Sequence, residues 1–128
     1  MTLRVTRVEG RGGTARFVDV PWRLHAGREP LWTPPLRSAV RDLLDTRRNP
    51  FYREADRALF IAERSGRAVG RVAAIENRRH NRHHGDRVGF FGFFDAVDDG
   101  EAVAALLGAA EGWLSERGLT ASRGPVSP

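Results

Sequence analysis

The sequence predicts an α+β fold, an antiparallel sheet with helices packed on it. Three observations carry that expectation. First, Arg87–Val97 is a dense apolar run with Phe90, Phe91, Phe93 and Phe94 on both parities, so its strand is expected to be covered on both faces. Second, Val103, Leu106, Leu107, Ala110, Trp113 and Leu114 recur at helical spacing directly after it. Third, two earlier apolar segments are separated only by Ser65-Gly66, a tight-turn dipeptide. With the Phe-rich run they make an antiparallel meander.

Taken in order, Leu3–Val8 alternates weakly and reads as a first strand. Gly10-Arg11-Gly12-Gly13 reads as a flexible break, because glycine is conformationally permissive. Thr14 then caps a helix from Ala15 whose apolar side is Phe17, Val18, Trp22 and Leu24. Pro21 lies inside that segment, so the helix is either kinked there or begins there. Gly27 ends it, and Glu29–Pro35 is extended, since residues before proline avoid the helical region.

A second helix is expected from Pro35 or Leu36 to about Thr46, with Leu36, Val40, Leu43 and Leu44 on one face. Arg47–Pro50 terminates it, and Phe51 and Tyr52 plug the sheet. Strands are expected at Ala58–Arg64 and Ala68–Ile75. Between the second strand of the meander and the Phe-rich strand, Glu76–Asp86 reads as a basic, polar loop. Asp98 and Glu101 have capping-box spacing at the start of the long helix, and Gly118 sits where its C-terminus needs a left-handed residue. Leu119–Ser122 begins a further strand just before the sequence stops. The order is strand, helix, helix, three strands, helix, in a single domain of residues 1–128.

Composition narrows the chemistry. At 128 residues and 41% hydrophobic, the chain has enough apolar material for one core. With no cysteine, disulfides, thiolate metal sites and cysteine nucleophiles are excluded. No apolar run is of membrane-spanning length and no basic-then-apolar leader opens the chain, so a soluble, cytoplasmic protein without membrane contact is expected. The formal charge is +5, and every one of the 21 basic residues is arginine. That charge suits an anionic partner, but an all-arginine, Ala- and Gly-rich composition equally marks a GC-rich genome. An Arg-rich nucleic-acid-binding module working through residues 78–87 is therefore kept as a second alternative only.

Several pieces together resemble the N-terminal half of the GCN5-related N-acetyltransferase (GNAT) superfamily, specifically a bacterial subgroup of it. They are Phe17–Leu24, Pro30–Leu36, Val69–Ala74, His80-Asn81, Val88–Phe94, Ala105–Leu114 and Arg123-Gly124-Pro125. The resemblance implies acyl transfer from acetyl-CoA or a longer acyl-CoA to an amine, which is not identified. It implies that backbone groups of Phe93, Phe94, Asp95, Ala96, Asp99 and Gly100 bind the cofactor. The superfamily's pyrophosphate turn is Gln/Arg-x-x-Gly-x-Gly/Ala; here Asp95–Glu101 has one glycine and four carboxylates. Such carboxylates stabilise a helix N-terminus but repel a pyrophosphate. The resemblance also implies that the sequence is cut off where a partner strand should follow. The alternative is thus an inactive remnant or a protein-interaction domain. An unpaired edge beside the Phe-rich strand would favour a homodimer or aggregation.

Candidate chemistry is sparse. Asp95 and Glu76, at strand ends, are candidate general bases, or else partners of Arg78 and Arg87. His80, His83, His84 and Asp86 are close in sequence, but so local a cluster is better explained by a solvated loop than by a metal centre, and no metal is expected. Trp22, Trp32 and Tyr52 either line an acceptor pocket or belong to the core. Gly89 and Gly92 inside a strand indicate a bulge or close backbone approach.

Overall fold

A computed structural model of the chain describes residues 3–25, 37–97 and 99–126. Its elements are β1 (Leu3–Val8), α1 (Gly10–His25), α2 (Arg37–Leu44), β2 (Ala55–Arg64), β3 (Arg67–Asn77), α3 (Arg78–His84), β4 (Val88–Ala96), α4 (Gly100–Glu116) and β5 (Ala121–Val126). One sheet runs in the order β1-β2-β3-β4-β5. The first four strands pair antiparallel, and β5 joins β4 in parallel after the α4 crossover. The predicted α+β class is therefore the observed one.

Both faces of the sheet are covered, as the parity of the phenylalanines required. Leu59, Ile61 and Ala73 point to α1 and α2 and pack with Phe17, Val18, Val20, Leu24, Val40 and Leu44. Their sequence neighbours Ala58, Phe60, Val72 and Ala74 point the other way, onto Ala102, Leu106, Ala110, Trp113 and Leu114 of α4. This alternation is the period-2 geometry of strands.

The start of α1 corrects the sequence reading. Gly10–Gly13 is helix, not a loop, and the Thr14 hydroxyl donates to the Gly10 carbonyl within it rather than capping it. Gly13 is where β1 and α1 approach closely: a Cβ there would lie 3.0 Å from the Val8 backbone carbon. The glycines permit contact here, not flexibility. The helix continues through Pro21 to His25. The expected stop at Gly27, the extended 29–35 segment, Leu36 and Trp32 lie outside the described residues.

In α2, Val40 and Leu44 are buried but Leu43 is 39% exposed, so it is not on the core face as expected. The guanidinium of Arg57 donates to the Leu44 carbonyl through Nε (2.9 Å) and Nη2 (2.7 Å), satisfying an orphan group at the end of α2. Asn49 caps a short 3₁₀ turn, Pro50–Arg53, that buries Tyr52. Ser65 and Gly66 both have positive φ (50° and 77°), as a type I′ hairpin turn demands.

The expected basic loop is also a helix. Asn77 caps α3 by accepting from the His80 N–H, and Gly85 ends it in the left-handed region. Asn81 then imitates a strand partner: its amide donates to the Val88 carbonyl (3.0 Å) and its oxygen accepts from the Val88 N–H (3.2 Å). That double bond sets where β4 starts.

At the far end of α4, Leu119 N–H donates to the Leu114 carbonyl and Gly118 N–H to that of Ser115. With Gly118 at φ 79°, this is a Schellman ending, as the position of the glycine predicted. The chain returns as β5, whose register runs from Val88↔Ala121 to Gly92↔Val126. The expectation that β4 lacks its next partner is thus overturned along Val88–Gly92, and with it the reason for self-association through that part of β4.

Gly89 marks the tightest contact between β4 and α4. A Cβ there would sit 2.5–2.9 Å from three side-chain atoms of Leu114. Gly89→Ala is expected to destabilise by roughly 1–3 kcal/mol, the usual cost of overpacking a filled core. Urea unfolding measures it; unchanged stability would show that α4 can shift to make room.

Candidate functional site

The irregular part of β4 is the candidate site. Arg71 pairs with Asp95 and Ala73 with Gly92, so Phe93 and Phe94 together oppose Val72. This is a β-bulge, and the extra residue is left out of the β3 ladder. Phe93 sits at φ 49°. For a bulky side chain that conformation costs of order 1–3 kcal/mol and persists only where the surroundings impose it. The glycines in the run indicated a bulge, but it lies just after Gly92, at two phenylalanines. Beyond Gly92 no strand pairs with the outer edge of β4 among the described residues.

Behind the bulge, on the α1 face, lies Arg71. Proline has no N–H, so Pro21 cannot donate to the carbonyl of Phe17 four residues earlier. Arg71 does so instead, with Nη1 3.0 Å from the Phe17 oxygen. Arg71 is 7% exposed. Its guanidinium lies 4.8 Å from the Phe17 ring centroid and 5.8 Å from that of Phe93. The two rings meet edge to face at 6.4 Å. Burial lowers the Arg71 pKa to about 10, opposed by the charge of Asp95 across the strand pair. Its Nε–H has no acceptor among the described residues. In the sequence Arg71 appears only within the Val69–Ala74 piece of the resemblance, with no role of its own; its place opposite both a bulge and a proline is tertiary.

The N-terminus of α4 lies beside this end of β4. The cap is Asp99, whose Oδ1 accepts from the Ala102 N–H at 3.1 Å; the expected cap, Asp98, lies outside the described residues. Glu101 accepts from Arg64 at 3.0 Å, and Arg64 also grips both oxygens of Asp99 (2.7 and 3.2 Å). Arg64, at the end of β2, thereby pairs with two of the turn's carboxylates. Its hydrogen bond, with that of the Ala102 N–H, holds the Asp99 carboxyl at about 2. The Asp99 side chain thus takes up the Ala102 N–H at the start of α4. The bulged part of β4 lies beyond the last residue paired with β5.

Of the expected cofactor-binding positions, Phe93, Phe94, Asp95 and Ala96 thus run along one strand edge, with Asp99 and Gly100 at the adjoining helix start. The two candidate bases are not brought together. Asp95 faces Arg71 in the register, while Glu76 lies five residues further along β3, roughly 16 Å at the usual strand rise. Glu76 accepts from Arg117 Nε at 2.7 Å, and Arg117 Nη2 reaches Asp56 at 2.6 Å. Arg78 also bonds Asp56. The partner of Glu76 is therefore Arg117, not Arg78 or Arg87.

His80, His83 and His84 lie on α3 with ring centroids 4.4 Å (His80–His84) and 4.9 Å (His83–His84) apart. Among the described residues no group of three or more His, Cys, Asp or Glu is arranged to hold a metal ion. Trp22 stacks under the Arg37 guanidinium at 4.3 Å, and Tyr52 is buried against Phe51. No helix among the described residues is long and apolar enough to cross a membrane.

This arrangement is the GNAT acetyltransferase fold. It superposes on a tandem GNAT protein of the clavulanic acid pathway with a TM-score of 0.65 at 16% identity, covering 91% of this chain and 34% of that one. AAC(6')-Iy, solved with a CoA-linked bisubstrate analogue, gives 0.63 at 18% identity over 100% and 82% of the two chains. A predicted acetyltransferase of Clostridium acetobutylicum, solved with acetyl-CoA, gives 0.61 at 14% over 98% and 82%. In sequence, the chain is 39% identical over 126 residues to a bacterial ceramide synthase of Caulobacter vibrioides, covering 98% of this chain and 33% of the relative. It is 35% identical over 111 residues to protein YghO of Escherichia coli, covering 87% and 28%. The chain thus spans about a third of the length of these relatives. No protein-family model matches it.

The cap and its pair make an acid-sensitive element. The Asp99 carboxyl titrates at an ordinary 3.8 when unfolded and about 2 when folded. Its stabilisation is therefore complete above the unfolded value and is lost as pH falls from about 4 to about 2. Asp99→Asn should flatten the acid limb of stability in that window, measured by denaturant unfolding at stepped pH. An acid limb identical to that of the parent chain would remove Asp99 as its source.

Proposed function

We propose that this chain is the acyl-donor-binding part of an N-acyltransferase, which joins the acyl group of an acyl-CoA to an amine. The observation that carries this reading is the bulge at Phe93, which frees strand backbone beside the N-terminus of α4 in a sheet of GNAT topology. The likeness to acetyltransferases solved with CoA-derived ligands supports it.

In this reading the thioester lies against the edge Phe93–Ala96. The amine nitrogen attacks the thioester carbonyl carbon, the carbon–sulfur bond breaks, and an amide and a free thiol result. Unpaired backbone donors near Phe93 stabilise the oxygen that gains charge in this step. Asp95 takes the amine proton, directly or through one water. Glu76 does not serve, because Arg117 holds it at the other end of the sheet. Phosphate binding by the α4 turn is not part of the reading, since Asp99 closes that turn from within. The similarity to a ceramide synthase makes long-chain amino alcohols the first acceptors to test, since a ceramide is the N-acyl derivative of one.

Calorimetric titration of the chain with acetyl-CoA and with a long-chain acyl-CoA tests donor binding. Saturable heat is expected with one of them, and no heat at millimolar donor would defeat the reading. With a sphingoid base as acceptor, Asp95→Asn should lower turnover by about 100-fold or more while leaving donor affinity unchanged. Turnover equal to that of the parent would remove Asp95 as the base.

A further inference from the structure

We propose that Arg71 is the positioning residue of the acyl-transfer site, holding the Phe93 bulge in place from behind the sheet. The inference rests on the reading above for its functional consequence, but not for its structural content. The left-handed Phe93 needs an external constraint: its ring meets that of Phe17 within the α1 core, and the Arg71 guanidinium lies against both rings. Its Nη1 is anchored 3.0 Å from the Phe17 carbonyl, which Pro21 leaves without a helical donor. Its flat face spans the rings of Phe17 and Phe93. Asp95, two residues beyond Phe93, stands opposite it in the strand register.

An arginine suits this place for a definite reason. A guanidinium is planar and stays charged, so it can stack on two rings while donating in its own plane. A lysine would keep the charge but has no plane to lay under Phe93. Pro21 and Arg71 therefore act as a unit: the proline exposes an acceptor, and the arginine reaching it is fixed where it props the bulge. The side chain faces α1, whereas the proposed donor runs along the strand edge. Arg71 thus acts through the backbone conformation of residues 93–96 and not by touching the thioester.

The test is amide hydrogen exchange across the full chain, read residue by residue without donor, for Arg71→Lys, Arg71→Met and Pro21→Ala. Both Arg71 variants are expected to speed exchange at 93–96 by about tenfold or more, with β1 and β2 unchanged, because local opening is separable from global unfolding. Pro21→Ala removes a helix breaker, so it retains the fold even if Arg71→Met does not. It supplies a competing donor to the Phe17 carbonyl, so α1 should become more protected while 93–96 becomes less so. Exchange at 93–96 equal to that of the parent in all variants, or a uniform rise over every strand, would overturn the proposal. Turnover of acyl-CoA is followed in parallel, with kcat expected to fall more than KM changes. If the parent chain shows no donor binding while the variants still loosen 93–96, the acyltransferase reading fails and the role of Arg71 stands.

Discussion

The missing N–H of Pro21 is the constraint on which this end of the molecule depends. A helix interrupted by proline leaves a carbonyl without its donor, and an unsatisfied buried carbonyl costs about 1–3 kcal/mol. Here Arg71 supplies the donor from the neighbouring sheet. That requires a charged side chain in the α1 interface, and the interface is built to take it: two phenyl rings lie against the guanidinium and one carboxylate stands across the strand pair. The same contacts oppose β4 where it carries two residues against one. A local defect in α1 and a local defect in β4 are thereby joined through one buried residue of the strand between them.

The two ends of the sheet are chemically different. At one end are the bulge, Asp95 and the start of α4. The carboxylates there look like an obstacle to any anion, but Asp99 and Glu101 already share one arginine. Asp99 caps the helix, and Arg64 from the end of β2 binds both Asp99 and Glu101. At the other end Arg117 leaves α4, stacks on Trp113 and ties Glu76 to Asp56. There α3 is attached by ion pairs to Glu54 from Arg82 and to Asp56 from Arg78. Much of the positive charge of residues 78–87 is thus matched by carboxylates of β2 and the turn before it. The arginines at this end thus serve as structural pairs.

Local pattern predicted most of the fold because most of it obeys local rules. The strands announced themselves by apolar parity, the Ser65-Gly66 turn by its glycine, and the end of α4 by Gly118. The misreadings share one cause. Gly10–Gly13 and Arg78–His84 are helical because tertiary contacts make them so, not because of their own propensity. Gly13 is needed where α1 meets Val8, and α3 is tied to the chain before it by the Arg78 N–H to the Glu54 carbonyl and by the Arg78–Asp56 and Arg82–Glu54 pairs. Among the candidate site residues, Asp95 came from its place at the strand's end and the 93–96 edge from the family resemblance, whereas neither gave Arg71 or Arg64 a role. Each acts on partners more than 20 residues away in the chain, and no spacing within a motif encodes such a pair.

By itself, then, the amino-acid order determined the α+β class, a sheet buried on both faces, and a strand–turn–helix unit with an acidic turn, since each follows from periodicity and capping chemistry within a few residues. Only the tertiary structure decided that β4 gains β5 as a parallel partner, that its bulge falls at Phe93, and that Arg64 pairs with Asp99 and Glu101. It alone separated Asp95 from Glu76 and set Arg71 between the Phe17 carbonyl, which Pro21 cannot serve, and the bulge. These depend on which surfaces meet across the sheet, and register and packing are global properties that no stretch of the chain carries alone.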